Sequence, residues 1–264
     1  MTARPADADE ERDALGRLDR LHGPGGMKAA VLALLLVPDQ PARLRAWREE
    51  TILVLDAEAI GADVGRLSGR TRLPLFELLL ARLGGAPLTD RQELLRSARR
   101  ILTAAHPGLP IDRLMWLAMR RHFGENPLAM VHAPADADLA SLPGPDMLNV
   151  AHFTAHLARM VPSDDPEAGQ HWYSAVLARW MPARAVPTWH KPDVDELVRA
   201  LSGLQGLSWM QRPQLIRGWV GEALPPGRGP LLATAADALR LSCLLLDSPM
   251  PPELARQYDE VAPI

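Results

Sequence analysis

The sequence predicts an all-α protein, a multi-helix bundle with two pseudo-repeated helical hairpin lobes, and three observations carry that expectation. Strand signals are nearly missing: Tyr and Phe together number five, β-branched runs are lacking, and no Asn-Gly or Asp-Gly hairpin turn occurs. Apolar residues recur at the 3.6-residue spacing of a helix face. The 25 prolines fall mostly between those periodic stretches, where a fixed φ and a missing N–H start helices or stop them.

Residues 1–26 read as an acidic, flexible tail, with Gly23-Pro24-Gly25-Gly26 as a linker. A phosphate loop there lacks the preceding strand that such loops need. A first helical lobe is expected over 27–131. In it, a short helix over 28–37 ends at Pro38, and one longer helix runs from 41 toward 67, weakened at Gly61 and Gly65. A helix over 73–83 carries Pro74 in its first turn and closes at Gly84-Gly85. Thr89 and Gln92 have the spacing of a capping box. Behind them Leu94, Leu95, Ala98, Ile101, Leu102 and Ala105 form one apolar stripe. His106-Pro107-Gly108 breaks the helix, and Pro110 opens a partner with Ile111, Leu114, Met115 and Ala118 inward. Arg113, Arg120 and Arg121 face outward on it.

Residues 132–145, rich in Pro and Asp, read as a loop or domain boundary. A second lobe follows over 146–264, with helices expected at 146–161, 166–181, 192–204, 212–223 and 230–246. Pro225-Pro226-Gly227 then mirrors the break at Gly108, so the helix–turn–helix unit occurs twice. Two copies suggest a pseudo-repeated bundle, since a solenoid needs three or more.

Composition narrows the function classes. The only cysteine, Cys243, lies in an apolar run and reads as a small buried hydrophobe, so no disulfide framework is expected and a reducing, cytoplasmic setting fits. The longest apolar run, from Ala29 to Val37, is about half of what a bilayer span needs. Charge is unevenly placed. Between Arg66 and Arg121 there are 11 arginines and four acids, a balance of +7 against −3 for the whole chain. A solvated arginine surface is the ordinary explanation. An RNA-binding or anionic surface is the sharper alternative, with Arg96, Arg99, Arg100, Arg113, Arg120 and Arg121 as the candidate interaction residues.

His152 and His156 stand four apart on an expected helix, the spacing at which two imidazoles share a metal. They are the candidate ligands of a zinc-dependent hydrolase. Position 153 is Phe, where a zinc peptidase helix carries its glutamate base. A helical wheel puts Asn149, His152, His156 and Arg159 on one polar stripe, which reads as a solvent face. His171 and His190 are separated by loops. No G-x-S-x-G elbow and no P-loop occurs. On this reading no catalytic residue and no cofactor is expected.

Two stretches carry a family resemblance. The first runs from "RLPLFELLLARL" into "RQELLRSARRILTAAHPGLPIDRLMWLAMRRHFG". The second is "LSGLQGLSWMQRPQLIRGWVGEALPPG", closed by "LDSPMPPEL", and "AVLALLLVPDQPARLRA" fits more loosely. Together they cover about half the chain. They resemble the cytosolic C-terminal region of bacterial HtpX-like membrane zinc metallopeptidases, zinc-dependent proteases with chaperone function. In that family the region is a tandem of helical lobes similar to TerB domains, with an Asp-Gly turn and a following glutamate. Here both turns keep glycine and lose the aspartate, and only Asp112 stands near the first acidic position. The H-E-x-x-H and the membrane helices that carry it do not occur in this sequence. The resemblance implies the accessory part without the peptidase. Such a part would be a non-catalytic interaction or regulatory module, cytoplasmic or held at the inner face of the membrane by its partner. Its expected partner is the membrane protease or a substrate of it; nucleic acid is not expected.

Overall fold

Proline and carboxylate punctuation explains most helix starts in this computed structural model, which describes residues 5–124, 138–181, 186–224 and 229–258. Among the described residues there are 13 α-helices and no strand. None of the helices is long and apolar enough to cross a membrane. The chain divides into two compact units, one of Met1–Pro127 with Tyr258–Ile264, the other of Leu128–Gln257.

The first unit holds α1 (Pro5–Asp19), α2 (Pro24–Leu34), α3 (Pro41–Glu50), α4 (Ala57–Arg66), α5 (Gly69–Leu83), α6 (Leu88–Thr103) and α7 (Pro110–Phe123). Its centre is α2. Residues 29–35 are all buried, and α3, α4, α5 and α6 pack around them. Pro24 sits in the first turn of this helix, so Gly25 and Gly26 belong to a helix and not to a linker.

The flexible tail expected over 1–26 is corrected as well. Helix α1 packs on α4 and buries Ala14 and Leu18. Its charges find distant partners. Glu11 accepts the Ser68 N–H (2.8 Å) and the Thr71 hydroxyl (2.5 Å). Arg17 forks onto Asp63 at 2.9 and 2.7 Å, and Asp19 accepts from Arg82 at 2.6 Å. An acidic run looks solvated in sequence, but Ser68, Thr71, Asp63 and Arg82 placed opposite it turn it into a docking edge.

The single helix expected over 41–67 is two. Helix α3 ends at Glu50, Asp56 takes a left-handed φ of 58°, and α4 starts at Ala57. The break lets α4 fold back onto Trp47. A Cβ on Gly61 would stand 2.6 Å from the Trp47 ring, so only glycine permits that approach. The capping box expected at Thr89 is not used, because α6 begins two residues earlier, at Leu88 behind Pro87. Helix α5 likewise begins at Gly69, a turn before its expected start, with Pro74 inside it. In α7 the inward stripe is shifted: Asp112, Leu114, Leu117, Ala118 and Met119 are buried, while Ile111 and Met115 are only half-covered.

The second unit contains a 3-10 turn at Leu139–Ser141, then α8 (Gly144–Leu157), α9 (Pro166–Trp180), α10 (Val194–Gln205), α11 (Gln211–Ala223), α12 (Ala233–Leu246) and the short α13 (Pro252–Ala255). Of the expected 132–145 loop, residues 132–137 lie outside the described residues. Helix α8 is flanked by α9 and α10. Glycines set both approaches: a Cβ on Gly169 would fall 1.8 Å from the Ala158 carbonyl, and one on Gly203 would fall 2.1 Å from Asn149. Asp165 caps α9, accepting from the N–H groups of Glu167 and Ala168. Of the two hairpins, α6 and α7 pack on each other, as do α11 and α12. The turn at Gly227 lies outside the described residues, and the surroundings of the pairs differ: α3 flanks α6, whereas α9 flanks α11.

Candidate functional site

Three surfaces carry chemistry. The arginine-rich stretch comes first. Arg96, Arg99, Arg100 and Arg120 are exposed, and Arg113 and Arg121 are partly covered. Acids from outside the stretch are interleaved with its arginines. Arg100 forks onto Glu50, one arm at 2.7 Å. Arg66 pairs with Asp63 at 3.1 Å and Arg82 with Asp19 at 2.6 Å. Arg72 spends its donors on the carbonyls of Leu34, Leu36 and Val64. Arg100 holds the Glu50 carboxyl below the usual range by hydrogen bonding. Much of the local charge is thus spent inside the unit. Asp112, the acid nearest the family's acidic position, is equally committed: it pairs with fully buried Arg43 and accepts the Leu109 N–H at 2.7 Å.

The second surface is the turn between α3 and α4. Ile52 is 80 % exposed, Leu53 97 % and Leu55 85 %. Three large aliphatic side chains in four residues stand in water although the same turn buries Thr51 and bonds its hydroxyl to the Trp47 carbonyl at 2.8 Å. The charged residues beside them are Arg45 and Arg48 against Glu49, Glu50, Asp56 and Glu58, an acidic balance, and Arg48 is paired with Glu58 at 2.8 Å. Sequence periodicity hid this turn, because 52–55 continue the apolar pattern of the expected helix.

The third is the histidine site, and here the expected pair separates. His156 is fully buried, so the wheel's solvent stripe is corrected: α8 is covered on that side too. His152, half-covered, instead meets His190 and Glu196. One ligand atom from each of the three lies within 4.8 Å of the others. The two imidazoles meet edge to face, with centroids 5.2 Å apart and planes at 84°. His190 Nε2 is 3.6 Å from Glu196 Oε2.

Local sequence builds this cluster. Asp193 and Glu196 form the capping box of α10: Glu196 accepts the Asp193 N–H at 2.9 Å, and Asp193 accepts the Glu196 N–H at 2.8 Å. Residues 186–193 are pinned to the helices beneath. Trp189 donates to the Ala155 carbonyl at 3.1 Å, and Tyr173 donates to the Pro187 carbonyl at 3.0 Å. Burial pushes the Tyr173 hydroxyl up to about 12, so it stays a donor. Burial also lowers the His152 pKa, a shift that the nearby Glu196 carboxylate opposes. His171 stays exposed and apart from this group. The D-x-x-E spacing three residues beyond His190 was the readable signal, since a capping glutamate must turn back over the preceding loop.

Comparison with known proteins returns no matching family model, no curated relative and no solved structure.

Proposed function

We propose that this chain is a non-catalytic helical interaction module whose docking element is the aliphatic turn at residues 52–55. The observation that carries this reading is the exposure of Ile52, Leu53 and Leu55 at 80, 97 and 85 %. Clustered aliphatics of this kind mark binding surfaces, and burying such a side chain is worth about 1.5–3 kcal/mol. The acidic excess around the turn favours a protein groove over an anionic bilayer, which would call for an excess of Lys and Arg. The resemblance of both hairpin stretches to the cytosolic region of HtpX-like metallopeptidases makes a membrane-bound zinc metallopeptidase, or a substrate of it, the proposed partner.

A photo-crosslinking residue placed at Leu53 in the native cell tests the proposal. The expected product is a protein adduct containing a membrane metallopeptidase, missing when the probe is moved to exposed Arg217. Leu53→Asp should weaken capture by ten-fold or more, roughly the effect of a 1.4 kcal/mol loss, without changing the unfolding midpoint. Adducts only with lipid, or equal capture from both positions, would overturn it.

A further inference from the structure

We infer that His152, His190 and Glu196 form a binding site for one transition-metal dication of the zinc class, which clamps residues 186–193 to α8 and α10. The inference is independent of the docking turn, which belongs to the other unit.

The donor set is two imidazole nitrogens and one carboxylate oxygen, a combination that suits Zn²⁺, Co²⁺ or Ni²⁺ and not a hard cation seeking all-oxygen ligands. Donors around a tetrahedral zinc sit ~3.3 Å apart. The His190–Glu196 separation of 3.6 Å is already close to that, and the widest separation within the trio is no more than 4.8 Å. Closing the remaining gap takes a movement of at most about 1.5 Å. The half-exposed His190 side chain has room to adjust.

The second observation is the support behind the ligands. A metal site needs its ligands oriented by outer hydrogen bonds. Glu196 is oriented by the Asp193 N–H, and the chain carrying His190 is fixed on one side by Trp189 bonded to Ala155 and further back by Tyr173 bonded to Pro187. His152 is fixed by the helix that forms the middle of its unit. Nothing about α10 stability requires a histidine at 190, since the capping box is complete without it. Three protein ligands leave one tetrahedral position open to solvent, so water or a partner's side chain would complete the shell.

The test uses the full chain. Zn²⁺ titrated calorimetrically into metal-stripped protein should bind at one per chain, and Co²⁺ should give the visible absorption of a tetrahedral N/O site. His190→Ala and Glu196→Gln should each weaken binding by about 100-fold or more, at or beyond the upper end of what losing an outer-shell partner costs. His171→Ala should leave it unchanged. Zn²⁺ at a hundredfold excess over Kd should raise the unfolding midpoint of the wild type by about 5 °C and not that of His190→Ala. His190→Ala removes a half-exposed side chain, so its fold is expected to survive, and its midpoint without metal checks this. Absence of saturable binding would overturn the inference, and so would equal binding by the His190 and His171 variants.

Discussion

Arg43 and Trp219 are both fully enclosed, one in each unit, and they are held by opposite means. Arg43 is held by a buried carboxylate, Asp112, sixty-nine residues away, and by the Leu35 carbonyl at 3.3 Å. Trp219 is held by shape: its ring stacks on Phe153 with centroids 5.5 Å apart, and its N–H reaches the Thr154 hydroxyl at 3.0 Å. The pattern extends outward from each. Around Arg43 the first unit is cross-linked by Arg17–Asp63, Arg82–Asp19 and Arg100–Glu50. Around Trp219 the second unit places Trp172, which donates to its carbonyl at 3.3 Å, and glycines 169, 203 and 218 admit the Ala158 backbone, the Asn149 side chain and the Trp180 ring. A charge-wired unit depends on its partners being present and ionised. A ring-packed unit depends on volume.

The sharpest way to break this contrast is Asp112→Asn. It strands the Arg43 guanidinium inside the first unit, which should cost about 3–5 kcal/mol. The double variant Arg43→Met/Asp112→Leu should recover most of that loss, because a hydrophobic pair of similar volume carries no desolvation penalty, less ~1 kcal/mol for the lost cap on α7. Denaturant unfolding of the three proteins measures both numbers. If the single variant loses under 1 kcal/mol, the first unit does not rest on charge in the way described.

The matching lesion in the second unit adds one methyl. Gly169→Ala would place a Cβ 1.8 Å from the Ala158 carbonyl, so α9 must move off α8. Overpacking of this kind costs about 1–3 kcal/mol, and a backbone obstacle puts it at the upper end. Gly221→Ala is the control, because nothing stands within 4 Å of its Cβ. Equal stability of the two variants would mean that close approach is not what limits this unit.

Much of the fold was legible, and what escaped has a common cause. Proline and capping acids mark helix starts locally, so α7, α9 and α10 sit within a residue or two of their expected bounds. Errors arose where distant residues decide. Nothing between 51 and 56 is Gly or Pro, and the helix breaks there because α4 returns to Trp47 across Gly61. The acidic segment docks because Asp63, Ser68, Thr71 and Arg82 await it more than forty residues on. At the histidine site the i, i+4 spacing pairs His152 with His156, whereas the fold sets His152 beside His190 and Glu196. His156 turns into the core, while His190 arrives from a loop that periodicity does not describe.

The smallest effect, residue by residue, is also the one that separates the units by pH. Four carboxyls are held below their usual range, all in the first unit. In Glu11 burial works the other way but is outweighed by hydrogen bonds from Thr71 and Ser68. Glu50 is lowered by Arg100, Asp63 by Arg17 and Glu93 by Lys28, each through a hydrogen bond. A carboxyl depressed on folding adds stability above its unfolded pKa of about 4 and loses it as pH falls through the folded value. Each increment is modest, since Arg17 and Arg100 are half-exposed and water screens them. His122 in the first unit and His152 in the second are both lowered chiefly by burial. Their stabilising share is lost as pH falls below about 6.5, in both units alike. Amide exchange at pH 7, 5 and 3.5, corrected for intrinsic rates, should therefore show the units loosening together to pH 5. Below that, α1 and α4 should lose protection ahead of α9 and α11. Earlier loss from α9 and α11 would show that the aromatic unit carries the hidden charge dependence, and the contrast drawn from Arg43 and Trp219 would fail.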